Sequence, residues 1–476
     1  MSTEIAAERL LSAADGADPE QAARLLFQAF VALSRTADSH HLLTLVSRAQ
    51  RVHDRSGTAA TELIYRTLAG TAATRARRPD GPDHLDRAVR IFDENDFGAD
   101  PVLVECALTA VMTLMRPEQA RRFAPLVDTL DLDPVDRARL LALIGVGDAW
   151  AGNLVRGQAE LREAARLAAL CDSLDVQAEA TSWLAKCDAL RGDLESAAAN
   201  LDQARESAAR VGSAWVAHHL PECTAMLAFA RGDLDAWAGL LELVVATDTG
   251  VTAGLQHEHR WELATHHAQA GRPEVAAGLL AGVDDPPRGW PGGAALPAWR
   301  AWILDLDSPV TSATLAASLD ELTRPVEQLL AARLAWLLGA HHGRAGRRGE
   351  SARLLERACA GYARTGAAGL LALVLDDLRR LGGSRTAAAA AVVPAPAGRE
   401  STLDLVASWA RSTGEPALTG AETRVAAAIA DGLSNREAAG QLFVSVKTIE
   451  FHLGNIFRKL GVRNRTELAA RRARTG

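Results

Sequence analysis

The sequence predicts an all-α protein: a solenoid of stacked helix pairs over residues 1–381, a tether over 382–417, and a four-helix helix-turn-helix domain over 418–476. Three observations lead there. Turn signals recur at a period near 40 residues, β-branched alternation is scarce between them, and four helix-capping signals crowd into the last 59 residues.

The repeat comes first in the chain. Gly152-Asn153-Leu154, Gly192-Asp193-Leu194 and Gly232-Asp233-Leu234 stand 40 residues apart, and Gly271-Arg272-Pro273 follows 39 later. Asp307-Ser308-Pro309 and Gly346 continue the series, while Arg116-Pro117-Glu118 and Pro79-Asp80-Gly81-Pro82 extend it upstream less clearly. Around Gly192, Trp183, Leu184 and Leu190 lead into the turn, and Ala197, Leu201 and Ala204 leave it at helical spacing. Each unit therefore reads as helix, tight turn, helix. A small residue five places after the glycine, as at Ala197 and Ala276, lets the two helices cross closely. The stretch Gly192 to Ala197 resembles the turn of tetratricopeptide repeats, with a longer period and few of that family's aromatic positions. The segment Asp284 to Gly293 is expected to be an inter-repeat insertion, the alternative being that its Trp290 meets a ligand or partner.

At 476 residues the chain is too long for one core. Its 52 Lys and Arg against 59 Asp and Glu give −7, which taken whole argues against nucleic acid. The charge is divided, however. From Leu418 on, ten basic and five acidic residues give +5, and the preceding 417 residues carry −12. No apolar run approaches the roughly 18 residues of a membrane span, and the start Met1-Ser2-Thr3-Glu4 lacks a signal-peptide pattern, so a cytoplasmic protein without membrane partners is expected. Cys106, Cys171, Cys187, Cys223 and Cys359 lie in apolar helical contexts and read as reduced core residues.

The adjacent histidines His40-His41, His218-His219, His266-His267 and His341-His342, with His257 and His259, invite a metal site. Neighbours on a helix point about 100° apart and share no ligand face, and two of the pairs recur four or five residues before their glycine, which favours packing. Only Lys186, Lys447 and Lys459 are lysines, and none follows a glycine-rich phosphate loop. Carboxylates are scattered over helix faces. No catalytic residue, cofactor or metal is predicted, and the chain is not expected to be an enzyme.

After Leu381 the low-complexity run through Ala387–Ala391 and Pro394-Ala395-Pro396 predicts a tether, with a short helix near Leu403 to Arg411. Thr419 with Glu422 is a capping box, Val425 and Ile429 form the buried side of the helix it opens, and Gly432 stops it. Ser434 with Glu437 opens a short second helix ending near Gln441-Leu442. Ser445 caps a third helix to about Leu460, and Asn464 with Glu467 opens a fourth. Along the third, Val446, Ile449, Leu453, Ile456 and Leu460 form the core seam. Lys447, Phe451, Gly454, Asn455 and Arg458 face away, flanked by Thr448, Glu450, His452 and Lys459. One such helix fits a major groove.

These runs, notably Gly432-Leu433-Ser434-Asn435-Arg436-Glu437, Val446-Lys447-Thr448-Ile449-Glu450 and Asn455-Ile456-Phe457-Arg458-Lys459-Leu460-Gly461, closely resemble the LuxR-type DNA-binding domain across Leu418 to Arg472. The resemblance implies that the helix from Ser445 is the recognition helix. It further implies that Lys447, Thr448 and Asn455 contact phosphates or groove, and that positions 450, 451 and 454 touch bases. Through Thr466, Leu468, Ala469 and Arg472 it implies dimerisation by the fourth helix. It also implies transcription activation, with double-stranded DNA, RNA polymerase and a second copy as partners. The chain departs from the pattern at Gly420, Ala438, Gly440 and Glu450; the last suggests acceptance from a cytosine amino group. Helical repeats before this domain are similar to part of the large ATP-binding LuxR-type regulators, whose ATPase is absent from this sequence.

The expected function is a sequence-specific DNA-binding transcription regulator, an activator, whose repeats sense a small-molecule or protein effector and control the DNA-binding domain. The alternative is a repeat scaffold that its C-terminal domain localises to DNA. The opposite charges of the two parts would permit autoinhibition by mutual attraction.

Overall fold

The structure, a computed structural model, describes residues 3–381 except 35–38, 77, 98–99, 130, 213, 247–255, 282 and 284–289. In the C-terminal part it describes 425–426, 428–429, 433–442, 446, 449–450, 452–453 and 456. Every regular element among the described residues is helical. The tether expected over 382–417, with its short helix near Leu403, lies outside them.

The predicted turns separate the two helices of a pair: Pro134–Trp150 from Leu154–Leu170, Leu174–Arg191 from Leu194–Val211, and Ala214–Ala230 from Leu234–Ala246. The series continues with Gln256–Gln269 and Pro273–Leu280, Leu296–Leu304 and Pro309–Ser318, and Gln328–Arg344 and Arg348–Thr365, before a closing helix Ala368–Arg380. Gly152, Gly192, Gly232, Gly271 and Gly346 hold φ between 73° and 90°. After each, the next N–H reaches back five residues, as in Asn153 to the Asp148 carbonyl (2.8 Å), Asp193 to Asp188 (2.9 Å) and Arg347 to His342 (2.9 Å). This helix-ending bond needs a left-handed residue before its donor, which glycine adopts without Cβ strain. The weaker signal at Arg116 belongs to the same series: its N–H meets the Val111 carbonyl at 3.1 Å, with Met115 in the left-handed place at φ 56°.

The weaker signal Pro79 to Pro82 separates Ala59–Arg75 from Gly81–Glu94, where the Arg78 N–H meets the Ala73 carbonyl at 2.9 Å, and three helices, Thr3–Asp15, Pro19–Ser34 and Ser39–Ser56, precede these. Their start signals are caps. Asp18 Oδ1 accepts from the N–H groups of Glu20 (3.1 Å) and Gln21 (3.0 Å), and Thr58 Oγ1 accepts from Thr61 (3.4 Å).

The close crossing expected five residues after each glycine is present. Ala197 and Ala276 are fully buried, and at Gly157 a Cβ would stand 2.7 Å from the Gly145 carbonyl oxygen and 2.8 Å from the Ala149 nitrogen. Backbone atoms on the facing helix cannot swing aside, so Gly157→Ala should lower stability by about 1–3 kcal/mol. Gly239, inside Leu234–Ala246, has open space around its Cβ position, and Gly239→Ala should raise stability by up to about 1 kcal/mol. Urea titration of the two full-length variants gives opposite signs if this packing is right.

First helices of the pairs are buried on several sides, as in Leu174–Arg191 with Val176, Ala180, Trp183, Ala185 and Cys187 all inside. Second helices bury one stripe, as in Leu194–Val211 with Ala197, Leu201, Ala204 and Ala208. The array curves until distant repeats meet. Arg324 Nη2 donates to the Met115 carbonyl at 2.8 Å and pairs with Glu118 at 3.0 Å, and a Cβ on Gly369 would lie 2.6 Å from the Gly192 nitrogen. First helices therefore surround a cavity. Trp290 and Pro291 form part of its wall.

Candidate nucleic-acid interface and central charge cluster

In the C-terminal part, Val425, Ala426, Ala428, Ile429, Ala438, Ala439, Ile449, Leu453 and Ile456 pack into one core, with Leu433 against it. The helix Asn435–Leu442 starts at the predicted capping box. The Ser434 N–H donates to Glu437 Oε2 at 2.8 Å, and the Glu437 N–H donates to Ser434 Oγ at 3.2 Å. These bonds hold the Glu437 carboxyl below its ordinary value. The Leu433 N–H closes the preceding helix on the Ala428 carbonyl at 3.1 Å. Ser434→Ala removes the cap and should lower the melting temperature of this domain by roughly 5 °C, whereas Ser434→Gly should cost much less, because glycine also caps well. Calorimetry on the full chain reads both.

The seam Ile449, Leu453 and Ile456 is buried as its spacing predicts, and Glu450 beside it is exposed. Two positions differ from expectation. Val446 is 40% exposed, because it lies in the first turn, about 60° from Ile449 around the helix. His452 is 5% exposed: it falls about 60° to the other side, next to Ile456, where the core extends further than the apolar residues alone indicate. It offers DNA little surface. The predicted contacts Ser445, Lys447, Thr448, Phe451, Gly454, Asn455, Arg458 and Lys459 lie outside the described residues, as do Thr466, Leu468, Ala469 and Arg472 and the caps at Thr419 and Asn464.

Within the repeats the recurring histidines meet carboxylates. His267 Nε2 lies 3.3 Å from Glu242 and His342 Nδ1 lies 2.8 Å from Glu350. Asp148 and Asp188 occupy the same place, four residues before Gly152 and Gly192. Asp188 accepts from Gln158 (2.5 Å) and Asn200 (2.7 Å), which clasps a second helix on each side. The packing expected of this position is what these contacts provide. The side chains of His40, His41, His218 and His257 lie outside the described residues. Among the cysteines, Cys106, Cys187 and Cys223 are buried and Cys359 packs half-buried against the core of the repeats, while Cys171 is half-buried. Burial pushes the Cys187 thiol up to about 12, which makes it unreactive.

A buried charge cluster, which the sequence did not reveal, lies on the first helices. Lys186 Nζ is 2.5 Å from Glu222 Oε1, and His219 Nδ1 is 3.0 Å from Glu222 Oε2, with His259 Nε2 at 3.6 Å. Burial opposes the Glu222 carboxylate, but Lys186 and His219 outweigh it and hold the group well below its ordinary value. Burial likewise opposes the His219 imidazolium, yet Cys223 and Glu222 raise it to about 10.

The family model for bacterial regulatory proteins of the luxR family matches residues 416–471, so the C-terminal domain is of that type. An HTH-type transcriptional regulator of Mycobacterium tuberculosis is 41% identical over 59 residues, 12% of this chain and 7% of the relative. The transcriptional regulatory protein UhpA of Escherichia coli is 40% identical over 70 residues, 15% of this chain and 35% of the relative. The chain thus spans less than a tenth of the mycobacterial relative and about a third of the other. In fold, the repeats are similar to a Rap protein solved in complex with competence and sporulation factor. The TM-score is 0.54 at 12% identity, covering 76% of this chain and 99% of that one.

Proposed function

We propose that a LuxR-type DNA-binding domain carried behind a closed helical-repeat array makes this chain a sequence-specific transcription regulator. The observation that carries the proposal is the domain at 416–471, whose capping box and core seam stand where a helix-turn-helix needs them. In this reading the third helix enters the major groove, with Lys447, Thr448 and Asn455 on phosphates or groove and Glu450, Phe451 and Gly454 at the bases. The fourth helix, through Thr466, Leu468, Ala469 and Arg472, pairs two copies on DNA. The domain activates transcription by meeting RNA polymerase. The repeats take an effector and set how available the domain is; the likeness in fold to a Rap protein, solved with a bound factor, supports an effector role for such an array.

The test is genome-wide capture of bound DNA with the wild type beside a double variant, Lys447→Ala with Asn455→Ala. Promoter peaks present in the wild type and lost in the variant are expected. Peaks that persist unchanged would sink the assignment of these contacts, and an absence of promoter enrichment in the wild type would favour a scaffold over a regulator.

A further inference from the structure

The repeats enclose a cavity of about 150 Å³. That is the scale of one aromatic ring in an apolar protein cavity. Much of its wall is apolar, including Trp150, Trp183, Met226 and Leu330, and these side chains come from four separate helices. A ligand inside would therefore touch several repeats at once.

Two polar groups on this wall have donors to spare. Tyr362 is 1% exposed, and its hydroxyl has no hydrogen-bond partner among the described residues. Arg333 is 8% exposed, with its guanidinium carbon 3.6 Å from the Phe229 ring centroid and within 5.6 Å of those of Trp237 and Trp336. Its Nε lies 3.3 Å from Glu262 Oε1 but has no hydrogen-bond partner among the described residues. Native buried polar groups are nearly always satisfied, and an arginine fork suits a carboxylate in two-point contact.

The charges on the wall stand in two pairs. Glu222 is engaged by Lys186 and His219, and Glu262 is the carboxylate nearest Arg333. On the cavity wall Lys186 is paired with Glu222 and Arg333 with Glu262, so a ligand carboxylate at Arg333 would share its guanidinium with Glu262.

We propose that this cavity binds a small carboxylate with an aromatic or aliphatic body, its acid group held by Arg333 and the Tyr362 hydroxyl. The proposal deepens the effector role given above and rests on it only for its regulatory consequence. A free acid and the C-terminal carboxylate of a peptide share this chemistry.

The test uses full-length protein, calorimetric titration and six probes: benzoate with benzamide, phenylacetate with phenylacetamide, and the tripeptide Ala-Ala-Phe with a free and with an amidated C-terminus. Saturable binding of at least one carboxylate probe is expected, with its amide counterpart weaker by about tenfold or more. Tyr362→Phe should weaken that binding about fivefold without lowering the melting temperature, because it removes an unpartnered hydroxyl. Arg333→Gln should abolish it; should that variant fail to fold, Tyr362→Phe alone decides. Tighter binding of the free peptide than of either acid would identify a peptide terminus as the source, and the reverse a free acid. Equal affinity for carboxylate and amide probes, no saturable binding of any probe, or indifference to Tyr362→Phe would overturn the site. Retention of captured promoter fragments is then measured with and without the best probe. Binding that leaves retention unchanged would sink the effector role while the site stands, and absent binding sinks the site without touching the DNA-binding reading.

Discussion

Glu222→Gln is expected to destabilise the centre of the array by about 3–5 kcal/mol, the usual cost of removing one partner from a buried charge pair. Glu222 is 6% exposed and faces Lys186, His219 and His259, so the amide leaves those groups together with no carboxylate between them. The loss should depend on pH in a defined direction. In the wild type, His219 is raised to about 10, so its contribution is fully present below its unfolded value near 6.5 and declines as pH rises towards 10. Glu222 is lowered, so its contribution is present above its unfolded value near 4.5 and is lost as pH falls below that. In the variant, burial without the carboxylate drives His219 to its neutral form, which relieves part of the strain above pH 6.5. The gap between wild type and variant should thus be widest between about pH 4.5 and 6.5 and shrink towards pH 10. Urea titrations across this range measure it. Glu20→Gln is the control: its i,i+4 pair with Arg24 is 45% exposed on the carboxylate side and should cost about 0.5 kcal/mol or less at any pH. A gap that stayed constant with pH would mean that His219 does not titrate against Glu222.

The local parts of this fold were legible because each rests on a local requirement. A helix end with the five-residue return bond needs a left-handed residue, and where glycine supplies it, at 152, 192, 232, 271 and 346, the period stands out. Where Met115 or Asp172 takes the left-handed place, at φ 56° and 53°, the same turn carries no glycine to mark it. Curvature and closure are another matter. The Arg324 contact to Met115 spans 209 positions, and no spacing rule links them. The cavity follows from that closure and was equally hidden, while the Glu222 cluster joins neighbouring first helices whose facing sides no spacing rule pairs. At the C-terminal helix, periodicity located Ile449, Leu453 and Ile456 but placed His452 on the wrong side of the boundary, because an imidazole can sit inside a core as readily as at its edge.

Ile449→Ala should unfold the C-terminal domain enough to abolish DNA binding while leaving the repeats intact. Among the described residues, nine are buried in that core and four of these are alanine, so Val425, Ile429, Ile449, Leu453 and Ile456 are its large described side chains. A domain of this size has a total stability of roughly 3–8 kcal/mol, since it buries a smaller fraction of its surface than a larger one. Truncating a fully buried isoleucine to alanine costs about 2–5 kcal/mol, because the cavity adds to the lost transfer energy, and a core already rich in alanine has few long side chains able to collapse into it. The two ranges overlap, so a large unfolded fraction at 37 °C is the expected state. None of the nine residues belongs to the buried clusters of the repeats, so the loss should stay confined. Differential scanning calorimetry of full-length wild type should resolve a smaller transition that disappears in Ile449→Ala, with the main transition unmoved, and retention of captured promoter fragments should fall by at least about tenfold. Ile449→Val, costing about 0.5–1.5 kcal/mol, should keep both the transition and most of the DNA binding. Retained binding in Ile449→Ala would show that this seam does not support the reading helix; loss in Ile449→Val as severe as in Ile449→Ala would instead place Ile449 in contact with DNA.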